Sequence, residues 1–242
     1  MPISQLKVKL LAKTSDSQEV VSMGAKLCYS DAGIDELQSA GESPRLIRAL
    51  MEMGHMSPIE HASFTFGIEG VSRVLLAQIT RHRIASFSVQ SQRYVCQSNA
   101  KEGFDYILPP AIEALGEEAV SEFKEQMNTM QKWYEKWILR LGGGGEKSNE
   151  DARFVLPNAC ETKMILTMNA RELLHFFSIR CCNRAQWEIR ALAWEMLKIC
   201  RKEAPVLFEN AGPACVRGSC SEGKMTCGRA AEVRRRQGEL ST

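Results

Sequence analysis

The sequence has little net charge and few histidines. Its 242 residues carry 31 basic against 29 acidic side chains and four histidines, His55, His61, His82 and His175. Such a balance gives the whole chain no strong field for nucleic acid or membranes. No apolar run is long enough to span a bilayer, and the N-terminal residues lack the apolar segment of a signal peptide. The sequence therefore predicts a cytoplasmic protein that binds neither nucleic acid nor membrane.

The nine cysteines are an odd number, in a chain too long for a small disulfide-stapled scaffold. Free thiols in a reducing compartment fit this pattern better than disulfides. Cys215, Cys220 and Cys227 lie five and seven positions apart in a C-terminal segment rich in Gly, Cys and Arg. Zinc ligands usually occur as C-x2–4-C pairs, and we interpret this segment as a tail that binds no metal and packs poorly.

Apolar periodicity predicts a mixture of separated strands and long helices. Strands are expected at 6–12, 62–69 and 161–169, and helices at 17–29, 43–54, 72–83, 110–141, 170–182 and 185–205. Because the two types do not alternate regularly, the predicted class is α+β, with an antiparallel or mixed sheet flanked by long helices. Residues 1–210 are predicted to form one domain, followed by the tail 211–242.

The segment 81–94, RHRIASFSVQSQRY, contains three arginines, a histidine and three serines. Cations at the C-terminal end of a helix complement its dipole, which explains one or two of them. Arginine forks, serine hydroxyls and backbone amides also cradle phosphate oxygens. The pattern leaves both a solvated charge cluster and an anion site open.

Another cation falls on the apolar side of a predicted helix. Leu173, Phe176 and Phe177 form one stripe at helical spacing, and Arg180 follows the first by seven residues and the second by four. A guanidinium in such a position is costly unless it is paired. Either a buried carboxylate pairs with it, or it stands at the floor of a pocket that receives an anion or a polarised carbonyl.

The same helix carries Arg171 and His175 on a face nearly opposite to Arg180. If both faces are functional, the helix serves two surfaces, which favours sites shared between subunits. Asn169 has a simpler explanation as the N-cap of this helix, with Glu172 completing a capping box.

The segment HMSPIEH, residues 55–61, raises the question of a metal. His55, Glu60 and His61 are potential ligands, but their spacing is not that of a helical H-E-x-x-H site, and Pro58 prevents a continuous helix. We expect a polar turn that lines a ligand, and no metal.

The residues RHR (81–83) and SQR (91–93), separated by seven residues, resemble the signature of the flavin-dependent thymidylate synthases, R-H-R-x7-S-x-R. The segments HMSPIEHASFTF, ARFVLP, TMNARELLHFFSIR and AQWEIR are similar to further segments of this family, in the same order. The resemblance covers roughly residues 5–210.

The resemblance implies an FAD-dependent methyltransferase. In this family a methylene group passes from methylenetetrahydrofolate to C5 of dUMP, reduced FAD supplies the hydride, and NADPH re-reduces the flavin. The products are dTMP and tetrahydrofolate. The family enzyme is a homotetramer whose active sites are built from several chains, which agrees with a helix that serves two surfaces.

The resemblance also implies roles by position. Arg180 is expected to be the catalytic residue that stabilises negative charge on the uracil ring, with no enzymic nucleophile. The residues expected to contact FAD are Ser57, Arg81, His82, Arg83, Val89, Asn169, Ala170, Arg171 and His175. The residues expected to contact dUMP are Gln78, Arg81, Val89, Gln90, Ser91, Gln92, Arg93, Arg153 and Arg180. Val89 is a departure, because many family members have a carboxylate at this position.

Two other classes remain open on the sequence. A nucleotide- or RNA-binding protein without catalytic activity could use the same arginine-rich surface, with steeply salt-dependent binding. The other kind of thymidylate synthase uses a cysteine nucleophile, but the Pro-Cys dipeptide of its active site does not occur in this sequence.

Overall fold

The computed structural model of the chain describes residues 2–97 and 103–240. Four strands, Lys7–Lys13 (β1), Ser63–Ser72 (β2), Ala85–Val89 (β3) and Glu161–Asn169 (β4), form one antiparallel sheet in the order β1-β2-β4-β3. Helices account for most of the other regular structure, so the predicted α+β class is confirmed. The strand β3, inside the arginine-rich segment, was not predicted.

Helices occur at each of the predicted positions, and further helices at 34–39, 146–152, 205–208 and 230–239 were not predicted. In chain order they are Ser17–Leu27 (α1), Ile34–Ser39 (α2), Pro44–Met53 (α3), Arg73–Ile79 (α4), Pro110–Glu113 (α5), Glu117–Arg140 (α6), Glu146–Ala152 (α7), Ala170–Arg180 (α8), Trp187–Glu203 (α9), Pro205–Phe208 (α10) and Ala230–Glu239 (α11). In α3, Pro44 begins the helix and Gly54 ends it with φ +77°, which glycine adopts without strain. Within residues 2–97 and 103–240, no helix is both long and apolar enough to cross a membrane.

The strand β2 follows from its alternating sequence. Phe64, Phe66 and Ile68 are buried, while small or polar side chains alternate with them. The predicted half-buried strand at 62–69 is therefore confirmed, and it extends to Ser72. β4 has its predicted bounds, and those of β1 differ from the prediction by one residue.

The chain divides into two compact units. The first unit contains Met1–Lys7, Ile68–Arg81 and Phe87–Ile165, and the second contains Val8–Gly67, His82–Ser86 and Leu166–Thr242. The division falls within all four strands. It does not test the predicted boundary at residue 210, which stays a prediction.

The predicted helix at 110–141 is two helices, α5 and α6. Gly116 precedes α6 with φ +101°, a conformation outside the helical region, so the chain breaks there rather than bending. Within the first unit, Met127 of α6 packs with Phe104 and Tyr106 in a buried cluster.

The core of the second unit is rich in aromatic rings. Phe208 lies edge to face with both Phe64 and Phe177, with ring centroids 5.5 and 6.0 Å apart. Phe176 and Phe177 of α8 are fully buried, so the apolar stripe predicted for this helix is confirmed. This packing fixes the rotation of α8 about its axis, and with it the direction of Arg180.

The helix α4 is shorter than predicted. Its start is confirmed, because Ser72 Oγ accepts a hydrogen bond from the Leu75 N–H at 3.1 Å. The helix ends at Ile79 rather than at residue 83, and the RHR segment lies beyond its last turn. Arg81 directly follows the C-cap Thr80, so the helix dipole explains at most this one of the clustered cations.

The C-terminal segment contains a helix and specific contacts. Val233 of α11 is 3% exposed, and the Arg234 Nε–H donates to the Cys215 carbonyl oxygen at 2.8 Å. The Arg236 guanidinium stands over the Trp194 ring, 4.6 Å from its centroid. The C-terminal segment is therefore attached by specific contacts, although most side chains beyond Val216 are exposed, as expected for a tail that packs poorly.

The close approach at Gly70 of β2 provides a test of this fold. Gly70 has φ +68°, and a Cβ there would lie 1.9 Å from the Gln5 carbonyl oxygen. We expect Gly70→Ala to lower the free energy of unfolding by at least about 2 kcal/mol, measured by urea unfolding. Gly33→Ala is the control, because nothing lies within 4 Å of a Cβ at that position. Equal stability of the two variants would contradict the packing described.

Candidate active site

The RHR segment has one side chain inside the protein and two outside. Arg81 is the last residue of its part of the first unit, and His82 and Arg83 begin a short part of the second. Arg81 and Arg83 are exposed, whereas His82 is 6% exposed. The three residues therefore do not form one patch of surface charge, and the role of His82 lies inside the second unit.

His82 connects a carboxylate to the arginine on the apolar stripe. Its Nδ1 lies 3.0 Å from Glu172 Oε1, and the Arg180 Nε–H donates to its Nε2 at 3.1 Å. Because Nε2 accepts a hydrogen bond, the neutral ring carries its proton on Nδ1 and donates it to Glu172. We call these three side chains the histidine bridge.

Burial keeps the middle member of the histidine bridge neutral. Burial lowers the pKa of His82 below its usual range, and the Arg180 charge acts in the same direction, while the hydrogen bond to Glu172 opposes both. The ring also packs edge to face against Phe176, with centroids 5.0 Å apart. At neutral pH the imidazole is therefore in the form that can accept a hydrogen bond from Arg180.

The N-terminus of α8 places Glu172 against His82. Asn169 Oδ1 accepts the Glu172 N–H at 2.8 Å, so the predicted N-cap is confirmed. The contact of the Glu172 carboxylate with His82 was not predicted, because a glutamate three residues after an N-cap is already explained by a capping box. The available signal was that Glu172 lies four residues before Phe176, and so on the buried face of the helix.

A cavity of about 430 Å³ adjoins this helix in the second unit. Its lining residues are Glu60, Ile84, Asn169, Arg171, Glu172 and His175. Arg171 and Glu60 are both exposed and form an ion pair. The structure thus brings together three of the residues predicted to contact FAD: Asn169, Arg171 and His175.

Ser57 and Ala170 are placed differently. Ser57 lines another cavity, of about 340 Å³, together with His55 and Arg171. Ala170 is buried, and its N–H donates to the Ala62 carbonyl oxygen at 2.7 Å. This bond anchors the first residue of α8, and the predicted contact of Ala170 with FAD stays a prediction.

The predicted nucleotide-binding segment 89–93 lies in the first unit, at the end of β3. Ser91 Oγ accepts the Arg93 N–H at 3.2 Å, and the amide of buried Gln92 donates to Cys160 Sγ at 3.4 Å. Within the described part of the chain, the Ser91 hydroxyl is thus hydrogen-bonded to a backbone amide rather than to a side-chain base. That arrangement agrees with a binding role for Ser91 and not with a nucleophilic one.

Arg93 lies against two carboxylates of α7. It pairs with Glu146, and its Nε lies 3.2 Å from Glu150 Oε2. That Nε is buried and makes no hydrogen bond of good geometry within the described part of the chain. The hydrogen bond to Glu146 raises the pKa of Arg93, so the guanidinium is charged. An anion bound there would share this cation with both carboxylates.

Two further arginines lie in the first unit. The Nε–H of half-buried Arg153 donates to the Glu150 carbonyl oxygen at 3.0 Å. Arg73 was not predicted as a site residue. Its Nη1–H donates to the Gln90 carbonyl oxygen at 3.5 Å and to Thr162 Oγ1 at 3.4 Å. Burial lowers the pKa of Arg73, and the Arg153 charge adds to that effect. The sequence does mark Arg73 as unusual, because it is a cation in the first turn of α4, where the helix dipole disfavours positive charge.

The other predicted residues of the first unit are Gln78, Arg81 and Val89. Gln78 lies on α4 and Val89 ends β3, and both are half-buried, whereas Arg81 is exposed. Their contacts with dUMP and FAD stay predictions, as does the effect of valine at position 89.

Among the described residues, one group of three side chains has potential metal-ligand atoms within 4.8 Å of one another: His82, Glu172 and His175. Both ring nitrogens of His82 are already engaged, by Glu172 and Arg180, and a metal ion would have to displace a guanidinium. We therefore interpret this group as part of the histidine bridge. His55 and His61, considered as ligands from the sequence, do not belong to it.

Comparisons with known proteins agree on one family. The family model of the thymidylate synthase complementing protein, Thy1, matches residues 9–206. A flavin-dependent thymidylate synthase of Geobacter sulfurreducens is 50% identical over 241 residues, 98% of this chain and 100% of the relative. A flavin-dependent thymidylate synthase of Clostridium tetani is 49% identical, over 95% of this chain and 96% of the relative. The solved UMP/dUMP methylase PolB of Streptomyces cacaoi, bound with 5-Br dUMP, has a TM-score of 0.71 and 25% identity, over 86% of this chain and 94% of that chain.

Matches of this length define an FAD-dependent methyltransferase. The chain belongs to the flavin-dependent thymidylate synthase family. The predicted family, the predicted cofactor FAD and the predicted synthesis of dTMP from dUMP are confirmed. The alternatives of an RNA-binding protein and of a cysteine-dependent synthase are set aside.

The histidine bridge predicts a specific pH dependence of stability. An unfolded histidine has a pKa of about 6.5, and the pKa of buried His82 is lower, so between these values the unfolded chain binds more protons. The free energy of unfolding should therefore fall as the pH falls below about 6.5. Urea unfolding across this range should show a shallower pH slope for His82→Gln, with His55→Gln as an exposed control. Parallel slopes for wild type and His82→Gln would show that the bridge does not hold a neutral histidine.

Proposed function

We propose that this protein transfers a methylene group from methylenetetrahydrofolate to C5 of dUMP and reduces it to the methyl group of dTMP, with NADPH as the final reductant. Bound FAD supplies the hydride. The observation that carries the proposal is the histidine bridge, because it holds Arg180 in a fixed direction through an uncharged ring. The name of the S. cacaoi neighbour, a UMP/dUMP methylase, supports dUMP as the substrate here.

The second unit holds residues that suit FAD. The cavity beside α8, of about 430 Å³, is within the size range of ligand pockets. Arg171, His175 and Asn169 offer guanidinium, imidazole and amide groups for the pyrophosphate and the flavin carbonyls, and Ile84 adds apolar surface. Arg171 pairs with Glu60, so a bound phosphate is expected to share or replace that partner.

The first unit supplies cations for the phosphate of dUMP. Arg93 follows Ser91 in the same turn, and Arg73 touches the Gln90 backbone beside it. A phosphate monoester is bound well by guanidinium forks together with a hydroxyl and backbone amides. Arg153 adds a third cation, and its charge lowers the pKa of Arg73. We assign the 90–93 turn and these arginines to the nucleotide.

Arg180 is proposed to activate the uracil ring. C5 of uracil is a weak nucleophile, and a cation near N3 and the ring carbonyls stabilises the negative charge that develops when C5 attacks. The histidine bridge fixes the Arg180 Nε, so the guanidinium needs little reorganisation during the reaction. Glu172 acts through His82 and is a positioning residue.

A side-chain nucleophile is not required by this mechanism. Burial raises the pKa of Cys160 to about 12, and it raises the pKa of Cys181 and Cys200 well above the usual range. Thiols of this kind are not thiolates at neutral pH and are inert as nucleophiles. Together with the hydrogen bond made by Ser91, this supports activation of the ring rather than a covalent enzyme intermediate.

The proposal includes a homotetramer with shared active sites, in the cytoplasm. Trp133 and Trp137 of α6 and Phe154 are 53%, 43% and 82% exposed. Large exposed apolar side chains support a protein contact surface in the first unit. The nine cysteines are free thiols, which supports a reducing compartment.

The role of Arg180 is tested by Arg180→Ala. We expect the variant to bind FAD normally and to form dTMP at least about 100-fold more slowly, because the developing charge on uracil loses its cation. Flavin absorbance and single-turnover dTMP formation measure the two effects separately. Arg48→Ala, which removes an exposed arginine paired with Glu209, is the control and should turn over normally. Full turnover by Arg180→Ala would refute the assignment.

The role of Ser91 is tested by Ser91→Ala. Loss of one hydroxyl from the phosphate cradle should raise the Kd of dUMP roughly 10-fold while leaving measurable activity at saturation. Equilibrium binding and the rate at saturating dUMP give the two quantities. Complete loss of activity with unchanged dUMP binding would instead indicate a nucleophile.

A further inference from the structure

Four cysteines meet at one cavity beyond the C-terminal end of α8. The cavity has a volume of about 330 Å³, and Cys182, Cys215, Cys220 and Cys227 all line it. All four belong to the second unit, and all are free thiols. Cys182 lies two residues after α8, and the other three come from the C-terminal segment, so the cavity joins two distant parts of the sequence.

Hydrogen bonds hold the C-terminal segment at this cavity. The Arg184 Nη1–H donates to Glu222 Oε2 at 2.9 Å and to the Met225 carbonyl oxygen at 3.0 Å. From the other side, Arg234 of α11 donates to the Cys215 carbonyl oxygen at 2.8 Å. Val233 is buried and also lines the cavity. These contacts, none of which involves sulfur, hold the C-terminal segment beside the cavity.

The backbone turns around the cavity in a manner that suits a ligand loop. Gly223 follows Cys220 with φ +51°, and Gly228 follows Cys227 with φ +71°. These left-handed conformations favour glycine. Cys220 and Cys227 therefore lie in irregular backbone, whereas Cys215 lies in the short 3-10 helix Ala214–Val216.

The four thiols share their cavity with cationic side chains. Thiolates brought together in this way repel one another unless a cation lies between them. Arg180 and Arg184 also line the cavity and favour negative charge there.

We propose that Cys182, Cys215, Cys220 and Cys227 bind one zinc ion in a tetrahedral structural site that fastens the C-terminal segment to the end of α8. Four thiolates are a usual ligand set of structural zinc and leave no open position for catalysis. The proposed reaction uses none of these cysteines, although Arg180 also lines the cavity.

The spacing of the cysteines is compatible with this site. Four residues separate Cys215 from Cys220, a spacing within the C-x2–4-C range of zinc ligand pairs. No three of the four sulfur atoms, all in the described part of the chain, lie within 4.8 Å of one another. Binding therefore requires the four sulfurs to move closer together, which couples the metal to the order of the segment.

The test uses the full chain purified from cells supplied with zinc. We expect about one zinc ion per chain by elemental analysis. Replacement of the zinc by Co²⁺ should give the visible bands and the thiolate charge-transfer absorption of a tetrahedral sulfur site. Cys227→Ser should lose most of the zinc and the cobalt spectrum, and limited proteolysis should cut its C-terminal segment at least several-fold faster.

Cys28→Ser is the matched control, because Cys28 and Cys227 are both exposed but only Cys227 lines the cavity. The control should keep its metal and its protease resistance. Binding of FAD by Cys227→Ser shows that the remainder of the chain is folded. A wild-type protein without zinc or a cobalt–thiolate spectrum would overturn the proposal. A disulfide among the four cysteines, bound iron in place of zinc, or full metal retention by Cys227→Ser would also overturn it.

Discussion

The hydrogen bond from Arg180 to a neutral, buried His82 is the contact on which the candidate site depends. A guanidinium on the apolar side of a helix is costly to bury unless its donors are satisfied. Here an uncharged ring satisfies the Nε–H, and Glu172 fixes the tautomer of that ring from its far side. The arginine thereby gains a fixed direction, which is the property that polarisation of a pyrimidine requires.

This contact depends in turn on the packing of α8 and on the end of α4. The rings of Phe176, Phe177 and Phe208 lock the rotation of α8, so Glu172 and Arg180, eight residues apart, reach the same imidazole. The early end of α4 at Ile79 frees the RHR segment from the helix and allows His82 to be buried between exposed arginines. A helix that continued to residue 83, as predicted, would not give that arrangement.

Local patterns in the sequence predicted much of the fold, since alternation defined β2 and β4 and Pro44 and Gly54 defined the ends of α3. The end of α4 was missed because Thr80 and the residues after it carry no helix-breaking signal. The apolar stripe identified Arg180 as unusual, but its partner lies 98 residues away, a separation that leaves no periodic trace. The roles of the other site residues rest on the family resemblance, because ligand contacts depend on groups that the sequence does not contain.

The central claim is that Arg180, held by the histidine bridge, polarises the uracil ring. The most direct test is the ¹⁵N NMR signal of dUMP labelled at N3, bound to wild type and to Glu172→Gln at saturating nucleotide. The account predicts that the signal of the wild-type complex is displaced from that of free dUMP, and that most of this displacement is lost in Glu172→Gln although the nucleotide remains bound. The same displaced signal in both complexes would contradict it, because the ring would then be polarised without the bridge.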